Sequence, residues 1–337
     1  MAQWLVSVAD SVFPNLDPAH QVLSKIGAEM RLAEAPRPEA ILQTARQADA
    51  VLVTYAKITA EMIQQMTRCR IIARFGIGVD NVDIAAATAA GIVVTRVPDY
   101  CVDEVSEHTM ALLLALARKI PFANSLVNGG RWEMPAVVPI HRLRGTVLGL
   151  VGFGRIPQLV APKAKAFGIR VVTHDPYISE SVPEAAGVDR IDFAGLLRVS
   201  DYVSIHTPLV PETYHLFNAE VLAQMKPTAY LINTARGPMV DEAALVCALD
   251  AKQLAGAALD VLATEPPSAS SLFGRNNVIL TPHMSFYSEE SLIELQTRAA
   301  KEVVRVLTGQ MPRDPVNPEV LKLGRMRGGI HEENAVV

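Results

Sequence analysis

Short apolar runs, rich in β-branched residues, alternate with amphipathic stretches along most of the chain. The runs cover residues 4–8, 50–54, 70–74, 91–95, 147–151, 170–174, 202–206, 229–233, 256–260 and 277–280. Between them, apolar positions recur at helical spacing over about 10–15 residues, the alternation of βα units that builds a parallel sheet. Strands of such a sheet read as unbroken apolar runs because helices cover both faces. The pattern therefore predicts an α/β fold.

One helical stretch divides the chain. It covers residues 102–119, with Asp103 and Glu104 in its first turn and Arg118 and Lys119 at its end, each complementing the helix dipole. A loop containing glycine and proline follows over residues 128–145, and a new βαβ unit begins at Thr146. A last long helix is expected over residues 288–307, and from Gly324 onward a polar, glycine-containing tail is expected to be loose.

The length of 337 residues fits two domains or one large one. With 35 acidic and 31 basic residues the net charge is −4, and no basic block appears, so a nucleic-acid partner is not expected. The most apolar helical stretch, residues 111–117, lies between His108 and Arg118, far short of the roughly 20 residues that a membrane span needs. Cys69, Cys101 and Cys247 are widely spaced, form no disulfide framework and suggest no metal site. With no charged leader before the strand at residues 4–8, this predicts a cytoplasmic protein without a membrane partner.

Candidate chemistry begins at the run 147–151, which leads into Gly152-Phe-Gly154-Arg155-Ile156-Pro157 and then a helical pattern. Glycines at such a strand-to-helix turn let the backbone approach a pyrophosphate, which then faces the N–H groups and positive dipole end of the helix. Asp175, ending the next strand, stands 23 residues beyond Gly152. A carboxylate about 20 residues on suits a ribose 2′-hydroxyl and repels a 2′-phosphate. No arginine follows in residues 176–183 to offset it, although His174 could carry a compensating charge. Dinucleotide binding, with NAD preferred, is the expectation. Pro157 departs from the usual glycine or alanine there; a first helical turn tolerates proline because its N–H would be unbonded anyway.

Three further residues follow the ends of predicted strands, where open α/β sheets bind ligands. Arg236 lies in Asn233-Thr-Ala-Arg236-Gly237, Glu265 begins Glu265-Pro-Pro, and His283 follows Thr281-Pro282. Singly they read as a surface cation, a loop acid and a loop histidine. Together, after successive strands of a cofactor domain, they form a candidate catalytic set.

These stretches, with Arg74-Phe-Gly-Ile-Gly-Val-Asp80-Asn-Val-Asp83 and His206-Thr-Pro-Leu209, resemble the D-isomer-specific 2-hydroxyacid dehydrogenases over nearly the whole chain. Tyr100-Cys-Val-Asp-Glu-Val-Ser-Glu-His108 and His283-Met-Ser-Phe-Tyr-Ser-Glu289 look most like the subgroup resembling C-terminal-binding proteins, with phosphoglycerate dehydrogenases more distant.

The resemblance implies two parallel-sheet domains, Rossmann-like and flavodoxin-like, with an active-site cleft between them. Residues 103–287 would bind the dinucleotide, and residues 1–102 with 288–323 would form the substrate domain. It implies hydride transfer between NAD and C2 of a 2-oxo/2-hydroxy acid pair, with His283 as proton donor, Glu265 favouring its imidazolium, and Arg236 gripping the carboxylate or polarised carbonyl. Ile77, Thr109, Gly152, Gly154, Arg155, Ile156, Asp175, His206, Thr207, Pro208, Thr234, Ala235, Asp260 and Ser285 would contact the cofactor, Asp260 at the nicotinamide carboxamide. Backbone N–H groups around Gly76, Ile77 and Gly78 would hold the substrate carboxylate. The Tyr55–Lys57 loop would border the cleft, Lys57 offering a second positive charge or Tyr55 shaping a compact pocket. A homodimer is implied around the 102–119 helix, with Val105, Leu112, Leu113 and Leu116, and an arm near Arg131-Trp132.

An alternative is an NAD(H)-binding scaffold or sensor resembling the C-terminal-binding-protein corepressors, which keep the same three polar residues. A formate dehydrogenase-like reading is disfavoured, because relatives of that type place glutamine where Glu265 stands.

Overall fold

The computed structural model describes residues 3–322, so the tail expected from Gly324 lies outside the described residues. The chain divides into two compact units, one from residues up to Tyr100 together with those from Ser288, the other Cys101–Tyr287.

The first unit alternates β1 (Trp4–Val8), α1 (Asp17–Leu23), β2 (Ala28–Leu32), α2 (Pro38–Ala45), β3 (Ala50–Val53), α3 (Ala60–Gln65), β4 (Ile71–Arg74), α4 (Ile84–Ala89) and β5 (Val93–Thr95). Its parallel sheet has the order β2-β1-β3-β4-β5, the flavodoxin-like arrangement. Every residue of β3 and β4 is buried, which is why both read as unbroken apolar runs. Edge strand β2 is largely exposed and carries Glu29 and Arg31, so it leaves no apolar run in the sequence. The other edge, β5, is covered by residues 314–317: Val316 N–H donates to the Val94 carbonyl (2.7 Å), and Asn317 bonds Val94 and Ile92. Such cover removes an unpaired strand edge.

The second unit holds α5 (Val102–Arg118), α6 (Ile120–Asn128), β6 (Val147–Val151), α7 (Arg155–Ala166), β7 (Arg170–His174), α8 (Ser181–Ala185), β8 (Asp189–Arg190), α9 (Phe193–Val199), β9 (Tyr202–Ile205), α10 (Ala219–Leu222), β10 (Tyr230–Asn233), α11 (Glu242–Asp250), β11 (Gly256–Leu259) and β12 (Val278–Leu280). Its parallel sheet runs β12-β11-β10-β9-β6-β7-β8. Counted from β6, that is the dinucleotide-binding order 3-2-1-4-5-6 with one strand added, and the order reverses between β6 and β9. The two-residue edge strand β8, Asp189-Arg190, is wholly exposed and again invisible to an apolar pattern.

The chain then returns to the first unit through α12 (Glu289–Leu307), packed on α1, β3 and β4, and ends its described part at α13 (Glu319–Lys322). Ser288 caps α12, accepting from the Ser291 N–H, and Leu292, Leu295, Ala299, Val303 and Val306 form its buried face.

The apolar residues of α5 that the resemblance assigns to a dimer are buried within the chain itself. Leu112, Leu113 and Leu116 belong to one core cluster with Leu148, Phe153 and Val160, and Val105 is also buried. The exposed apolar surface nearby lies instead on α6 and the arm after it, at Ile120, Val127, Trp132 and Met134. Among the described residues, no single helix is long and apolar enough to cross a membrane.

Candidate active site

The glycine turn after β6 has the geometry that a pyrophosphate requires. Gly152 adopts φ +92°, and a Cβ there would lie 2.9 Å from the His206 carbonyl oxygen, so conformation and space both demand glycine. Gly154 is the N-cap of α7, and the first intrahelical bond runs from Gln158 N–H back to its carbonyl. Pro157 precedes that bond at the third helical position, so its missing N–H removes no hydrogen bond, and its ring is buried. Asp175 is bound to this turn, one oxygen accepting from Phe153 N–H (2.8 Å) and the other from Tyr177 N–H (2.9 Å). The carboxylate expected at the ribose is thus held at the rim of the cradle, with the dipole end of α7 beside it. These residues fit a bound dinucleotide.

His206 and Thr207 lie half-buried at the end of β9, and Pro208 is exposed. Burial pushes the His206 imidazole down to about 3, and its Nε2 bonds the Ser204 hydroxyl (2.9 Å). Arg155 is exposed at the first turn of α7, and Ile156 is half-buried beside it.

Arg236 sits in a loop that β10 and Asn233 shape. The buried Asn233 side chain accepts from Ala235 N–H (2.9 Å) and donates to the Arg236 carbonyl (2.8 Å). Gly237, next in line, is wedged against a second loop. A Cβ there would stand 2.5 Å from the Ala263 nitrogen and closer still to the carbonyl group of Leu262. That second loop carries Glu265, whose Oε1 accepts from Leu262 N–H (2.8 Å). Its Oε2 meets His283 Nδ1 at 2.6 Å, with both side chains partly exposed. A carboxylate accepts, so Nδ1 donates, and acid–base exchange at this ring falls to Nε2.

His283 occupies the left-handed region (φ 49°), a conformation that costs energy and persists only where neighbours enforce it. Asp260 does the enforcing. Its carbonyl accepts from His283 N–H (2.8 Å), while its carboxylate accepts from the Thr281 hydroxyl (2.5 Å), Met284 N–H (3.0 Å) and Ser285 N–H (2.9 Å). The Asp260 side chain is buried, and these bonds fold the loop that carries His283. Ser285 is likewise buried, tied to Asp260 by its backbone.

Thr109 is fully buried, donates to the Val105 carbonyl (2.8 Å) and so accepts from the Thr234 hydroxyl (3.0 Å). It thereby fastens Thr234 and the neighbouring Ala235 to α5. His108, one residue earlier, lies 3.1 Å from Thr281 Oγ1 and was not singled out by the sequence.

In the first unit, the Tyr55–Lys57 segment is held by two residues that sequence reasoning passed over. The Asp10 carboxylate accepts from the N–H groups of Thr54, Tyr55 and Ala56 (2.8, 2.7 and 3.1 Å), and the Asn81 amide donates to the carbonyls of Thr54 and Ala56. Tyr55 is half-buried and Lys57 is exposed. In the 76–78 turn, Gly76 N–H donates to the Arg74 carbonyl (3.0 Å), and Ile77 and Gly78 N–H have no partner among the described residues. The buried Arg74 guanidinium packs directly against Gly76. Among the described residues, no cluster of three or more His, Cys, Asp or Glu could hold a metal ion.

The profile of the D-isomer specific 2-hydroxyacid dehydrogenase NAD binding domain matches residues 110–285. The chain belongs to that family. It is 37% identical over 295 residues to the glyoxylate reductase of Thermococcus litoralis, covering 86% of this chain and 89% of the relative. It is 38% identical over 320 residues to the D-3-phosphoglycerate dehydrogenase of Methanocaldococcus jannaschii, covering 92% of this chain but 61% of the relative. The chain thus spans about three fifths of that longer protein. The crystal structure of a Thermus thermophilus protein superposes with a TM-score of 0.84 at 36% identity, covering 93% of this chain and 99% of that one. The narrower likeness to C-terminal-binding proteins rests on the two quoted stretches alone.

Proposed function

We propose that this chain is an NAD-dependent oxidoreductase that moves a hydride between the nicotinamide and C2 of a 2-oxo/2-hydroxy acid pair. The observation that carries the reading is the 2.6 Å pairing of Glu265 with His283 on a loop ordered by Asp260, joined through Gly237 to the loop of Arg236. Bound NADH would supply the hydride. Glu265 fixes the His283 ring and its tautomer, so that Nε2 delivers the proton to the forming alkoxide and withdraws it in the reverse direction. Arg236 offers a planar fork to the substrate carboxylate or carbonyl oxygen. Asp175 favours NAD over NADP by placing a negative charge where a 2′-phosphate would lie.

The named relatives support a small 2-oxo acid as substrate, glyoxylate foremost. A homodimer is supported by the exposed arm, where Trp132 is 86% and Met134 71% accessible, an unusual exposure for large apolar side chains. The deciding experiment is a panel of 2-oxo acids, including glyoxylate, pyruvate, hydroxypyruvate and its 3-phosphate, with NADH and NADPH. Saturable oxidation of NADH with at least one of them is expected. Failure with all, in a folded protein that binds NADH, would overturn the catalytic reading and leave the scaffold.

A further inference from the structure

We propose that His108 is a positioning residue for the proton donor, acting through Thr281 and Asp260 on the loop that carries His283. This rests on the catalytic reading above, but its geometric half stands without it.

The argument is a count of protons. The Thr281 hydroxyl has one hydrogen, and Asp260 Oδ1, at 2.5 Å, can only accept it. The contact of 3.1 Å between His108 Nε2 and Thr281 Oγ1 must therefore run the other way, with the imidazole N–H donating to the hydroxyl oxygen. Nε2 lies 3.7 Å from Asp260 Oδ1, too far for a direct hydrogen bond, so its influence on the carboxylate passes through the hydroxyl. The result is a directed chain, His108 to Thr281 to Asp260, whose last member also receives Met284 N–H and Ser285 N–H. His283 stands inside that loop, in a backbone conformation it would not adopt unaided.

The helix beneath is what gives the chain a fixed origin. His108 and Thr109 are adjacent on α5, and α5 packs on α7, β10 and β11. Thr109 takes the Thr234 hydroxyl, two residues before Arg236, while His108 grips Thr281, two residues before His283. One turn of one helix thus anchors the loops of both the proposed carboxylate clamp and the proposed acid. A leucine at 108 would fill similar space but withdraw the donor, whereas glutamine places an amide N–H near the position of Nε2.

Three substitutions in the full chain test this, His108→Leu, His108→Gln and Thr281→Val, together with the His108→Leu/Thr281→Val double variant. A misplacement of about 1 Å at a catalytic group costs on the order of 10²-fold. We expect His108→Leu to lower kcat for 2-oxo acid reduction roughly 10- to 100-fold, with the KM and Kd for NADH within about 2-fold of wild type. His108→Gln should recover most of kcat, and the double variant should be no worse than either single change, because one chain is broken only once. Independently of activity, amide hydrogen exchange in residues 281–286 of the cofactor-free protein should accelerate in His108→Leu and not in His108→Gln. Unchanged exchange in His108→Leu would overturn the proposal, as would a kcat loss that glutamine fails to restore or that adds fully to Thr281→Val. If wild type reduces no 2-oxo acid, the catalytic reading fails, and the exchange data still decide whether His108 orders the loop.

Discussion

Gly237 offers a direct test of whether the Arg236 and Glu265 loops act as one unit. An alanine there introduces a Cβ 2.5 Å from the Ala263 nitrogen, with the Leu262 carbonyl nearer still. Non-bonded heavy atoms settle at about 3.5–4.0 Å, so clearing the nearer Leu262 carbonyl makes one loop retreat by about 1.5 Å or more. The obstacle is backbone on both sides and cannot be relieved by a side-chain rotation. Over-packing of this kind costs about 1–3 kcal/mol, which for a domain of this size lowers Tm by a few degrees, about 2–4 °C per kcal/mol. The retreat moves either Arg236 away from its substrate or Glu265 away from His283. A shift of even about 1 Å costs on the order of 10²-fold in kcat/KM, so at least that loss is expected. Calorimetry and steady-state assays with the best 2-oxo acid measure both effects. The glycine turn at 152–154 is remote in sequence and makes no use of Gly237, so the Kd for NADH should change little. Activity within about 3-fold of wild type, with an unchanged Tm, would refute the idea that this contact sets the geometry of the two loops.

His283→Ala should lower kcat by roughly 10²–10⁴-fold while NADH still binds, as fluorescence titration would show. Arg236→Lys keeps the charge but loses the fork, and a large fall in kcat/KM for the oxo acid with little change in NADH affinity is expected; equal losses of both would point to a structural role. Asp175→Ala should raise the NADP/NAD ratio of catalytic efficiencies by about 10-fold or more, and an unchanged ratio would remove Asp175 from cofactor choice. His206 gives a pH signature. Its imidazole titrates at about 3 in the folded chain and near 6.5 when unfolded, so its contribution is complete above pH 6.5 and is lost as pH falls. Between pH 6.5 and 5 this amounts to at most about 2 kcal/mol, reduced by the part of the ring that solvent reaches. Urea unfolding of cofactor-free wild type and His206→Gln should show the steeper acid dependence in wild type; parallel curves would show that His206 does not titrate as its burial implies.

The parallel core was legible in the sequence because buried strands such as β3 and β4 have no polar face to interrupt them. Edge strands β2 and β8 were not, since Glu29, Arg31, Asp189 and Arg190 point to water and break the pattern. Residues with chemistry of their own (Arg236, Glu265, His283) stood out by their positions after strands. What escaped were the residues that hold them. Asp10, Asn81 and His108 are polar residues whose partners lie 25 to 173 positions away, and no local pattern records such pairings. The same distance effect hides the bonds that Asp260 makes to the Met284 and Ser285 N–H groups and Thr109 to Thr234, which only the fold shows.

The discontinuous first unit sets an order of events during synthesis. Residues up to Tyr100 leave the ribosome before the second unit, yet the sheet they form gains α12 only after all of Cys101–Tyr287 has emerged. The second unit is one uninterrupted stretch and can close as soon as it is made. The unit begun before the other is therefore finished after it. Until then the landing site of α12 on β3, β4 and α1 stays open, an apolar surface for chaperones to hold and for aggregation to exploit. A premature stop before Ser288 would leave the nucleotide cradle intact and the first unit without α12, a failure of cellular quality control rather than of chemistry.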